Sequence, residues 1–87
     1  MKRVAQQIQV ATRGDQPTAF RWRGQDYCVV ELLDRWRIRT RWWVREEDRC
    51  YFQVLARPDG AAPQPGQEGV YELYRRDGQW LLERLVD

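Results

Sequence analysis

"WRIRTRWWVR", Trp36 to Arg45, is the clearest alternating stretch in this chain of 87 residues. Trp36, Ile38, Thr40, Trp42 and Val44 fall in one phase. Arg37, Arg39, Arg41, Trp43 and Arg45 fall in the other. Successive side chains of a strand point to opposite faces, whereas a helix would scatter both sets around its circumference. The stretch therefore reads as an amphipathic strand with one apolar and one basic face.

The same period continues outward in both directions. "QIQVAT" (7–12) sets Ile8 and Val10 against Gln7, Gln9 and Ala11, and "RGDQP" after it is a cluster of turn formers. "TAFRWR" (18–23) alternates Phe20 and Trp22 with Arg21 and Arg23. A short turn leads into "YCVVELL" (27–33), a run apolar enough to be buried on both faces, so residues 18–33 predict a hairpin. Asp34 and Arg35 then interrupt before the amphipathic strand. "EEDR" (46–49) reads as a turn and "CYFQVLAR" (50–57) as a further strand. "VYELYRR" and "WLLERLVD" flank an Asp77–Gly78 pair, a strong hairpin signal.

Residues 58–69, "PDGAAPQPGQEG", hold three of the four prolines in the chain. Proline cannot donate to a sheet ladder, so this stretch predicts a loop. The sum is one all-β domain over residues 1–87. It is a small antiparallel meander of six to seven strands, forming a curled sheet or a partly closed barrel. Five Trp, four Tyr and two Phe supply the bulk that so short a chain needs for a core. Trp22, Trp36, Trp42 and Trp80 are expected in that core. Trp43 shares a face with arginines, which predicts an interface anchor or a second small core.

Composition removes several classes of function. The chain has no His, Ser or Asn, so imidazole bases, serine nucleophiles and His-containing zinc sets are absent. The carboxylates Asp26, Glu31, Asp34, Glu46, Glu47 and Asp48 form no recognisable acid–base or metal-ligating pattern. No enzyme activity, cofactor or metal is expected. Cys28 and Cys50 lie too far apart for a C-x-x-C motif and read as small apolar residues. "MKRVAQQIQVAT" lacks the apolar run of a signal peptide, so a cytoplasmic location is expected, with no membrane partner.

Charge is uneven although the net value is only +2. Residues 35–45 carry five Arg and no acid, whereas residues 59–87 carry six acids against three Arg. Arginines at alternate strand positions project about 7 Å apart, close to the spacing of phosphates along a single strand. Trp43 could stack a base among them, and Arg21 and Arg23 could extend the patch. The competing reading is a solvated face, with the arginines paired across strands to Glu31, Glu72 or Glu83.

The aromatic spacing adds a resemblance. "W-R-x(4)-W-W" at Trp36, Arg37, Trp42 and Trp43 is followed by "R-x-Y-F-x-V" at Arg49 to Val54. "Y-x-L-Y-R" at Tyr71 to Arg75, "G-x-W" at Gly78 to Trp80 and the aspartate Asp87 complete the set. This pattern resembles the C-terminal domain of ImuB-type, Y-family-polymerase-like proteins. "FRWRGQDYCVVELLDRWR" also resembles a small stand-alone bacterial family of unknown function. The likeness spans roughly residues 18–87. It departs at the end, where Val86 takes the usual Tyr position, and it includes no catalytic carboxylates of a polymerase. It implies a bacterial accessory or adaptor in a DNA-repair assembly for translesion synthesis, with a protein partner. The alternatives are a single-strand nucleic-acid binder using residues 36–45 and a homodimerising module. The residues expected to contact a partner or nucleic acid are Arg37, Arg39, Arg41, Trp43, Arg45, Arg21 and Arg23.

Overall fold

A computed structural model describes residues 2–41, 46–60 and 68–86. Six strands follow one another: β1 (Lys2–Arg13), β2 (Gln16–Trp22), β3 (Gln25–Arg41), β4 (Glu46–Pro58), β5 (Gly69–Arg76) and β6 (Gln79–Leu85). Each pairs antiparallel with its neighbour in sequence, and β6 returns to β1, with Ile8 opposite Trp80. The meander therefore closes into a barrel. Closure pairs the first strand with the last and so covers the edges that β1 and β6 would expose in an open sheet.

Two of the tight turns use backbone that only certain residues tolerate. Arg23 and Gly24 take φ of 53° and 75°, and Asp77 and Gly78 take 52° and 78°. Two consecutive positive φ values give a turn whose twist matches a right-twisted hairpin. The Asp-Gly signal is thus explained by geometry, and Arg-Gly achieves the same at β2–β3.

Ile8 on β1 and Phe20 and Trp22 on β2 face inward in the expected phase. Phe52, Val54 and Ala56 alternate along β4 and are fully buried, as are Leu73 on β5 and Leu82 on β6. Phe20 stacks on Tyr27 at 5.0 Å and meets Tyr71 edge-on at 5.3 Å, while Phe52 lies 5.3 Å from Trp80. Ile8 and Trp22 complete this cluster. Burial beside Tyr27 pushes the Tyr71 hydroxyl up to about 12.

β3 departs from the expectation. Asp34 and Arg35 do not separate two strands, and the chain runs as one strand from Gln25 to Arg41. The change of phase is absorbed by register shifts between Val29 and Glu31 and between Leu32 and Asp34. Each shift leaves one residue unopposed, and a bulge re-aims such a side chain. Val30 and Leu33 are those residues, and they stand 47% and 43% exposed. The run "YCVVELL" is therefore not buried on both faces.

β3 and β4 also outrun the barrel. β2 pairs with β3 only as far as Cys28, and β5 pairs with β4 only from Cys50. Beyond these limits each of the two long strands pairs, among the described strands, with the other alone, down to Arg41 opposite Glu46. Residues 36–41 and 46–50 form a two-stranded arm, and the molecule measures 50 × 28 × 23 Å.

Candidate interaction surface

A two-stranded ribbon is marginal in water unless its side chains support it. Both faces of the arm carry such support. Directly opposed residues share a face, so Trp36 faces Tyr51 and Arg39 faces Asp48 across the ribbon.

The first face holds an aromatic stack outside the barrel. The Trp36 and Tyr51 rings lie 5.3 Å apart and 4° from parallel, and Tyr51 stacks in turn on Tyr74 of β5 at 5.1 Å. The Arg49 guanidinium covers the Tyr74 ring at 5.0 Å and donates to Glu47 at 2.9 Å. Arg76 of β5 also donates to Glu47 at 2.9 Å, which straps β4 to the next strand. These two donors, Arg76 first, hold the Glu47 carboxyl below its ordinary range. Ile38 extends this face and is 42% exposed.

The second face holds the arginines. Arg37 donates two hydrogen bonds to Asp48, one of them at 2.8 Å. This contact keeps the Asp48 carboxyl below its usual value and raises the Arg37 guanidinium above its own. Arg39 lies 3.6 Å from Glu46 and 3.9 Å from Asp48. The acids that Arg37 and Arg39 meet are therefore Glu46 and Asp48 on the adjacent strand. Glu72 instead pairs with Arg84 at 2.6 Å. "EED", expected to be only a turn, starts β4, and its Glu46 and Asp48 pair with Arg37 and Arg39 on the arginine face.

At the barrel end of this face lies a cleft of about 670 Å³. Its lining sets Arg35, Arg37 and Arg75 against Asp15, Asp48 and Asp77. Arg35 sits over Phe52 at 5.5 Å and Arg75 over Trp80 at 5.7 Å. Equal numbers of opposite charges make a poor phosphate cradle. Among the described residues, no group of three or more Cys, Asp or Glu could hold a metal ion. No helix there is long and apolar enough to cross a membrane. Cys28 and Cys50 are free thiols, both half-buried.

The expected site residues separate into three groups. Arg37, Arg39 and Arg41 lie on one face of the arm as expected. Trp43 and Arg45 lie outside the described residues, as does Trp42. Arg21 and Arg23 stand at the other end of β3, beside the β2–β3 turn. Arg21 is 3.8 Å from Asp26, and Arg23 lies over the Trp22 ring at 4.6 Å. Along β3 the path from Arg23 to Arg37 is on the order of 40 Å at the usual strand rise. These two arginines do not extend the arm's patch. Trp22 and Trp80 are core residues as expected, whereas Trp36 is half-buried in the outer stack. The sequence reading missed Tyr51, Tyr74 and Asp48, whose roles depend on which residues the hairpin brings opposite each other.

A family model described as a domain of unknown function (DUF6504) matches residues 1–87. No curated protein and no solved structure matches the chain.

Proposed function

The chain belongs to the DUF6504 family, and from that premise we propose that it is a non-enzymatic interaction module whose β3–β4 arm docks on a protein partner. One observation carries this reading. Among the described residues the three large apolar side chains left exposed, Val30, Leu33 and Ile38, all belong to β3. Val30 and Leu33 sit at the two bulges beside the barrel, whereas Ile38 stands on the arm itself, where an exposed apolar side chain is suited to burial in an interface. The arm's own acids meanwhile occupy Arg37 and Arg39, which lowers their value as phosphate ligands. The Trp and Tyr spacing resembles that of translesion-synthesis proteins, so a bacterial DNA-repair assembly is the setting proposed for the partner.

Affinity capture from cells of the source organism, after nuclease treatment, tests the proposal. Wild-type chain should retain a polymerase-like or recombinase-like protein. Ile38→Asp should lose it with the melting temperature unchanged, because Ile38 supports little of the fold. Equal capture by both chains, or none by either, would sink the proposal.

Single-strand binding has one observation in its favour. Arg35 and Arg41 have no acidic partner within 4.0 Å among the described residues. Anisotropy titrations with oligonucleotides across salt concentrations separate the two readings, since phosphate contacts weaken steeply as salt rises.

A further inference from the structure

β3 is paired on both sides only at its beginning. Its ladder with β2 ends at Cys28, while its ladder with β4 continues to Arg41. From Val29 onward, one edge of β3 faces no other described strand. Such an edge is a row of backbone donors and acceptors open to a further strand. Between Val29 and Arg35 the row is interrupted by two bulges, and Asp34 accepts the Arg35 N–H at 2.8 Å. From Trp36 to Arg41 the register runs without a shift.

The Asp34 contact fixes which groups point outward. The Arg35 N–H goes to that carboxylate and so does not serve β4. Alternate residues of a strand turn their N–H and C=O to the same side. Arg37, Arg39 and Arg41 therefore present both groups to the open edge, and Trp36, Ile38 and Thr40 turn theirs toward β4. The arm's other edge differs, because Arg76 reaches across it to Glu47.

We propose that an extended segment of a partner protein, alternating acidic and apolar residues, adds as a strand to this edge. The proposal rests on the arm being the docking surface and specifies how it docks. An added strand is held by main-chain hydrogen bonds and selected by its alternate side chains. On one face those side chains meet Arg37, Arg39 and Arg41. Arg41 has no acidic partner within 4.0 Å among the described residues and is open to a carboxylate, while Arg37 and Arg39 stay 59% and 60% exposed beside their own acids. On the other face they meet Trp36 and Ile38, which aliphatic groups would cover. A second copy fits badly. Antiparallel pairing opposes open-side residues to open-side residues, so in two arms arginine would meet arginine. A nucleic acid strand lacks the alternating peptide groups that this edge would pair with.

The probe is a fluorescent, end-blocked Val-Glu-Val-Glu-Val-Glu-Val peptide, with a Val-Lys counterpart and oligothymidylate as controls. Amide hydrogen exchange of the full chain is read residue by residue. At free peptide ten times its Kd, exchange at Arg37, Arg39 and Arg41 should slow about elevenfold. The Trp36, Ile38 and Thr40 amides, already directed at β4, should change less. Arg39→Pro deletes one open donor without touching the β4 ladder and should abolish binding, whereas Arg39→Ala should only weaken it. The proposal falls if the Val-Glu peptide fails to bind, or binds without slowing these amides. It falls also if either control protects them equally, or if they become protected on raising the chain's own concentration. A captured partner that leaves these amides exposed overturns strand addition but not docking. Partner capture that survives Ile38→Asp overturns docking itself.

Discussion

Glu46→Gln combined with Asp48→Asn should turn a weak nucleic-acid surface into a stronger one. Both changes keep the side-chain shape and remove the charge that holds Arg37 and Arg39. Each phosphate neutralised on a single strand contributes about −0.7 to the slope of log affinity against log salt. If, among the described arginines of this face, Arg35 and Arg41 alone are free to engage phosphate, they contribute a slope of about −1.4. Releasing two further guanidinium groups should steepen it by about 1.4, to about −2.8. Fluorescence anisotropy with labelled oligothymidylate, from low to moderate salt, measures both slopes. Acid offers an independent route to the same release. The Asp48 carboxyl is held low by the Arg37 hydrogen bond. Its support of the arm is therefore present above the ordinary Asp value of about 3.9 and lost as pH falls through the lower folded value. A double variant with the wild-type slope would refute the claim that Glu46 and Asp48 neutralise Arg37 and Arg39.

Three further outcomes test the fold. The Tyr71 hydroxyl is raised to about 12 by burial, so the folded state keeps a proton that the unfolded chain loses from about pH 10. Stability should fall as pH rises from about 10 toward 12, and Tyr71→Phe should remove that part of the fall in denaturant titrations. Gly78→Ala should destabilise by about 1–2 kcal/mol, because φ is +78° although nothing lies within 4 Å of the added Cβ. Leu33→Gln should leave stability within about 0.5 kcal/mol. The neighbouring Leu32→Gln should cost about 2 kcal/mol or more, because Leu32 packs on the core cluster. Equal effects at 32 and 33 would contradict the second bulge.

The alternation around Trp36 to Arg45 was enough to identify an all-β chain, and the Asp77–Gly78 pair was enough to place a hairpin. Period-2 patterning did not separate Phe52 and Val54 from Leu55 on β4, because "CYFQVLAR" is apolar in both phases. It also failed at β3, because a bulge changes phase without leaving a turn residue, and Val30 and Leu33 look as apolar as buried neighbours do. The arm's chemistry was less legible for a related reason. Arg37, Arg39 and Arg41 were visible as a row, but their partners depend on hairpin register, which pairs Arg39 with Asp48 across the ribbon. The Trp36–Tyr51–Tyr74 stack likewise joins three strands through register alone. Arg21 and Arg23 looked adjacent to the patch because they are near in sequence. A long strand carries the two ends of β3 far apart.

Photo-crosslinking inside the source cells tests the central claim that the arm meets a protein. A benzophenone side chain placed at position 38 samples the arm, and one at the exposed Gln7 samples the barrel wall. The account predicts a discrete protein adduct from position 38 and none from position 7. Equal labelling from both positions, or an adduct at 38 to nucleic acid alone, would contradict it.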